Sequence, residues 1–276
     1  MKRTLVFSHS APVLVMAMSL IGGTARAQDN NCANLPDYAT LKPALVSAVA
    51  AEASGLHNQM WATIVDRDGV VCAVAYSGNS RGAQWPGSRV ISAQKANTAN
   101  AFSLDASSSS SGAGQPAGLA LSTANLYAAV QPGGSLYGLQ QSNPVDTTVA
   151  YGPPSLRYGQ FNDPMVGKKI GGVNVFGGGL ALYGANHVIL GGLGVSGDTS
   201  CTDHDVAWRL RHSLGFDHML ANPSLNMAGV AGVSGDASHP DNIVYDIGDN
   251  GQSKGGFGHP SCLMPGDQTK LPPVIP

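Results

Sequence analysis

The stretch VFGGGLALYGANHVILGGLGVSGDTSC, Val175 to Cys201, decides how this chain is read. Glycine stands among β-branched and aliphatic residues along its whole length. In a strand or helix interior glycine costs about 0.5–1 kcal/mol against alanine, so this density needs a compensating close approach to the backbone. The alternation predicts two strands, about Val173 to Tyr183 and His187 to Ser196, turning at Gly184-Ala185-Asn186. Asp198 or Thr199 then caps a helix that runs through DHDVAWRLRHSL to Gly215.

Working outward toward the N-terminus, ATLKPALVSAVAAEASG (Ala39 to Gly55) carries Leu41, Leu45 and Val49 at helical spacing, with Gly55 as a stop. MWATIVDRDGVVCAVAY (Met60 to Tyr76) gives two β-rich runs joined by Asp66-Arg67-Asp68-Gly69, whose Asp-Gly pair is a hairpin signal. SRVISAQKANTANAF (Ser88 to Phe102) is an alanine-rich second helix. Asp105 to Lys169 reads as an insertion: a serine-rich loop, a short helix in LALSTANLYAAV (Leu119 to Val130), then Gly/Pro-rich segments. The order helix, hairpin, helix, insertion, hairpin, helix predicts an α+β fold, an antiparallel sheet flanked by helices. A dinucleotide-binding sheet needs strand–helix–strand crossovers, which this order lacks.

With 276 residues, 43% of them hydrophobic and 12% charged, the chain can bury a substantial core. A net charge of -2 supplies no basic field for nucleic acid or an anionic membrane. Residues 1–27 have the layout of a secretory signal peptide: Lys2 and Arg3, an apolar run from Ala11 to Ile21, and Ala25-Arg26-Ala27 as the cleavage site. The apolar run is too short to span a bilayer, so the expectation is a periplasmic or secreted protein with no membrane span. Residues 28–215 then form the domain and residues 216–276 a Gly/Pro-rich arm with few apolar residues to bury. Export makes Cys32, Cys72, Cys201 and Cys262 a disulfide set. Cys32 with Cys262 would tether the two terminal arms, closing a loop worth about 4–5 kcal/mol in the chain-entropy model. Cys72 is then left to pair with Cys201.

WATIVDRDGVVCAV, SRVISAQKANTANAF, GGVNVFGGGLALY and GGLGVSGDTSCTDHDVAW, in this order and spacing, resemble the HbpS/GlcG-like family of haem-binding proteins. The similarity covers roughly Leu41 to Leu214 without the insertion, and GLGVSGDTSCTDHDVAW is its most specific piece. The resemblance implies a profilin-like architecture, homo-oligomeric assembly, and haem or iron as ligand, in some members outside the cell and coupled to redox sensing. It also implies a haem ligand on the second helix, where the matching threonine is Thr98.

Haem requires an axial ligand, an apolar slot and cations near its propionates. Arg89 and Lys95 share the helix of Thr98 and are the candidate propionate partners. Gly178, Gly192 and Gly194 would leave room for a flat guest against the sheet, or for a packed helix or subunit. No C-x-x-C-H motif exists for covalent haem attachment. Among the histidines, His57 follows a helix end, and His204 is the candidate metal ligand as half of Cys201-x-x-His204, a zinc-like spacing without a convincing second half. The leading expectation is an exported haem-binding protein, serving in haem sensing, storage or uptake. Two others compete with it: an extracytoplasmic enzyme acting on a small organic acid through a Cys201 thiol, activated by the helix N-terminus and His204, and a structural oligomer with no cofactor.

Overall fold

The computed structural model describes residues 1, 31–105 and 118–276. The signal-peptide reading and the serine-rich part of the insertion lie outside these residues.

Asp37 accepts from the Thr40 amide and opens α1 (Tyr38–Ala50), which ends five residues before the glycine expected to stop it. Strands β1 (Trp61–Asp66) and β2 (Val71–Tyr76) form the first hairpin, and the Asp66 carboxylate accepts from the Asp68 and Val70 amides in its turn. Helix α2 spans Ser88–Phe102. After it come β3 (Leu104–Asp105), β4 (Gly118–Ala120), and the single turns α3 (Leu139–Ser142) and α4 (Thr147–Ala150). The second hairpin is β5 (Gly179–Tyr183) and β6 (Ile189–Ser196), and α5 (Ser200–Ser213) begins at the Thr199 cap. A two-residue β7 (Ala231–Gly232) pairs with β4. The order is the one the sequence predicts.

All pairings in the main sheet are antiparallel, in the order β2-β1-β6-β5. Alternation along β1 sorts its side chains between two faces. Ala62 and Ile64 join Leu41, Leu45, Val206 and Leu210 under α1 and α5. Trp61 and Val65 join Val90, Ala93 and Ala96 of α2, together with Ala150, Met165 and Ile170 from the insertion. The sheet is thus covered on both faces, an α+β sandwich.

Three readings are corrected. Leu119 to Val130 is not one helix: it starts in β4, runs through turns and ends in a 3-10 turn at Ala128–Val130, with Asn125 Oδ1 accepting from both the amide and the hydroxyl of Ser122 and the Thr123 hydroxyl donating to Phe176 O. Such local bonds compete with the helical ladder. The C-terminal arm is not short of buried apolar residues, since Met219, Val230, Leu271 and Val274 enter the main core. The disulfides are Cys32–Cys72 and Cys201–Cys262, not Cys32–Cys262 with Cys72–Cys201. Cys32 lies in a short turn against β1 and β2, while the arm brings Cys262 back to the start of α5. Among the described residues no cysteine is free, so Cys201 has no thiol to act as a nucleophile in this state.

Candidate functional site

The predicted cofactor-binding residues, Thr98, Arg89, Lys95 and the three glycines, fall in the layer where α2 meets the sheet, and that layer is closed. A Cβ on Gly194 would lie 1.9 Å from Ser92 O, and one on Gly192 would lie 2.2 Å from Ala96 O. On Gly178, with φ at +108°, it would lie 2.3 Å from Val195 O and 3.1 Å from Lys95 Nζ. Small residues on α2 thus seat the helix backbone directly on β6, and the space expected for a flat guest is filled by protein. Of a flat guest, a packed helix and a packed subunit, it is the packed helix that meets these glycines within the chain.

Thr98 is buried; its hydroxyl donates to Gln94 O at 2.7 Å and accepts from the Asn174 amide at 3.0 Å. Arg89 is buried in an ion pair with Asp163, donating also to Ala150 O at 2.7 Å, with the Tyr158 ring over its guanidinium. It pins the insertion to α2. Lys95 Nζ donates to Asp203 Oδ2 at 2.6 Å and to Val195 O at 3.1 Å, and faces the Phe176 ring. Asp203 also accepts from the Gly197 and Asp198 amides. Burial pushes Asp203 up to about 6 and Lys95 down, and each charge partly restores the other. Both cations are already neutralised and stand away from solvent. His204 is likewise buried, with Nε2 on Asn242 Oδ1 at 3.2 Å, Nδ1 without a partner, and its pKa lowered by burial to about 3.

The structure opens elsewhere, where the ends of α1, β1 and β2 meet the start of α5. A cavity of about 470 Å³ lies there, lined by Val46, Val49, His57, Met60, Asp198 and Thr202 among others. That volume falls within the range of small-molecule pockets, about 300–1,000 Å³. Its rim is fixed from two sides. The Asp198 carboxylate accepts from the Leu56 and Asn58 amides, holding the 54–59 loop to the β6–α5 turn. Gly55, with φ at +67°, lets that loop pass so close that a Cβ would lie 2.1 Å from Asp198 Oδ1. His57, itself at φ 59°, is left exposed at the mouth. A tetrapyrrole fits this lining only in part: His57, Met60 and two valines suit its iron and ring, but no lysine or arginine lines the walls, and the carboxylates of Glu52 and Asp198 do, so propionates would have to point away from them to solvent. The sequence singled out His57 only as a helix-end residue; the cavity beside it needs elements that are remote in sequence.

Residues 40–210 match the family described as haem degrading protein, HbpS-like. Solved structures similar to the chain include a PduOC:heme complex, at 23% identity over 63% of this chain and 88% of that one, with a TM-score of 0.40. A second is the Klebsiella pneumoniae protein ORFY, at 23% identity, 62% and 86% coverage and a TM-score of 0.39. A third is a double mutant of Streptomyces reticuli HbpS, at 17% identity, 75% and 99% coverage and a TM-score of 0.34. No curated protein matches the sequence.

Proposed function

The chain belongs to the HbpS-like family, and from that premise we propose that it binds haem non-covalently outside the cytoplasm. Family membership over residues 40–210 is the observation that carries this reading. Export is supported by the signal-like residues 1–27 and by the two disulfides, and no described helix is long and apolar enough to cross a membrane. We assign the haem to the cavity between α1 and the 54–59 loop, not to the glycine surface under α2. His57 would supply the axial nitrogen, Val46, Val49 and Met60 the apolar wall, and the propionates would face solvent at the mouth. Bound there, haem supplies redox-active iron; the protein's own part is to hold it and to limit access to it. Self-association, the other family expectation, is part of the same proposal.

Haemin titrated into the full chain should give a shifted Soret band that saturates near one haem per chain. His57→Ala should abolish the shift and Thr98→Val should leave it intact. A spectrum that stays that of free haemin overturns the function. Loss in Thr98→Val with retention in His57→Ala overturns the site. Light scattering reads the assembly, and a monomer removes that part of the proposal.

A further inference from the structure

Cys201-x-x-His204 lacks a partner motif nearby in sequence, but the fold brings one to it from the C-terminal arm: His259-x-x-Cys262. The two halves do not meet as a four-ligand set. Cys201, Cys262 and His259 each offer a ligand atom, and these atoms all lie within 4.8 Å of one another; His204 stays outside the group, on Asn242. Cys201 and His259 are buried, and Cys262 is half-buried.

We propose that these three residues form a redox-gated site for a soft divalent cation that accepts tetrahedral coordination, such as Zn2+. In the oxidised protein the site is shut, because both sulfurs are spent on each other. A dithiol reductant would donate two electrons and two protons, converting the disulfide to two thiols and itself becoming a disulfide. The cation would then displace both thiol protons to solvent and bind two thiolates and one imidazole nitrogen, leaving a fourth position for water. A disulfide of higher reduction potential would take the two electrons back by exchange, becoming a dithiol with two protons from solvent, so that the sulfurs rejoin and the cation is released.

Four local features suit the reduced state to this. Two thiolates on one zinc stand about 3.7 Å apart, as tetrahedral geometry with bonds of about 2.3 Å requires, so after reduction the sulfurs must part by about 1.7 Å from the roughly 2.0 Å of an S–S bond, with a ring nitrogen of His259 already within 4.8 Å of both. The Cys201 amide, in the first turn of α5, donates to Cys262 Sγ at 3.2 Å, and the Tyr245 hydroxyl donates to Cys201 Sγ at 3.3 Å. Both donors favour a thiolate over a thiol. His259 is oriented as a metal-binding histidine usually is: Nδ1 meets the Pro260 carbonyl at 2.7 Å, which directs a lone pair to Nε2, now taken by the Ser200 hydroxyl at 2.7 Å. Ser200 also accepts from the Gly177 amide, so it can release the imidazole without losing every partner.

The test uses the full chain reduced by a phosphine, freed of reductant without oxygen, and titrated with Co2+. One equivalent should produce a thiolate-to-cobalt charge-transfer band, absent from the oxidised protein, and reoxidation should release the ion. The Cys32→Ser/Cys72→Ser double variant should keep the band. Cys262→Ser and His259→Ala should each weaken binding by about tenfold or more. The proposal is overturned if folded, reduced protein gives no band, or if both single variants bind as well as the parent. It is equally overturned if cobalt binds only when the near-ultraviolet circular dichroism of the native core is lost.

Discussion

Asp205 on α5 should make the fold lose stability as pH rises through neutrality. Its side chain is buried against the C-terminal arm: Oδ1 accepts from Gln268 Nε2 at 2.6 Å, and a Cβ on Gly266 would lie 1.8 Å from Oδ2. Oδ2 and Gln268 Oε1 are both buried without a hydrogen-bond partner. One proton on Oδ2 would join that pair and close a cyclic acid–amide pair between helix and arm. Burial raises the carboxyl from 3.8 to about 7; Glu52 and Asp267 add to the rise, while Arg209 and the Gln268 bond oppose it. Since the folded pKa lies above the unfolded one, the native state binds the extra proton. The stabilisation is complete below the unfolded pKa and disappears as pH climbs through about 7. A rise of about three pKa units corresponds to about 4 kcal/mol, of which about 3 kcal/mol should be lost between about pH 5 and pH 8. Asp205→Asn keeps the cyclic pairing without a titratable proton. Asp203 and the buried histidines titrate in both proteins, so the readout is the difference: across that range the parent's urea midpoint should fall relative to that of the variant, which becomes the more stable at the alkaline end. Parallel pH profiles for the two proteins would refute the reasoning.

Other outcomes follow from the packing. Gly194→Ala puts a methyl group 1.9 Å from Ser92 O, a backbone atom that cannot step aside, and should cost about 3 kcal/mol or more by denaturant unfolding. Lys95→Met strands the buried Asp203 carboxylate and should cost about 3–5 kcal/mol, much of it recovered in Lys95→Met/Asp203→Asn. Replacing Cys32 and Cys72 by serine opens a 40-residue loop and should cost about 4 kcal/mol, visible as a lower thermal midpoint.

The local elements were legible because their signals are local. The Asp-Gly pair at Asp68-Gly69, the alternation of Trp61 to Asp66 and the cap at Thr199 each act within a few residues, so the two hairpins and three helices could be read in order. The glycines announced a close approach but not its occupant, because a Cβ is equally forbidden by a porphyrin and by the backbone of α2. Cationic Arg89 and Lys95 read as ligand partners because the acids that neutralise them, Asp163 and Asp203, lie 74 and 108 residues away. LALSTANLYAAV misled for the converse reason: the Asn125 side chain takes the Ser122 amide and hydroxyl and the Thr123 hydroxyl reaches Phe176 O, so the segment folds into turns and only its end, Ala128–Val130, makes a 3-10 turn.

By itself, the sequence determined the order of strands and helices, the antiparallel class and the presence of four cysteines suited to oxidation. Only the tertiary structure decided which sulfurs meet, what fills the glycine-lined face and where a cavity remains open. Strand and helix periodicity is written in neighbouring residues, whereas sulfur pairing, ion pairing and empty space depend on which distant segments come to share one face of the sheet.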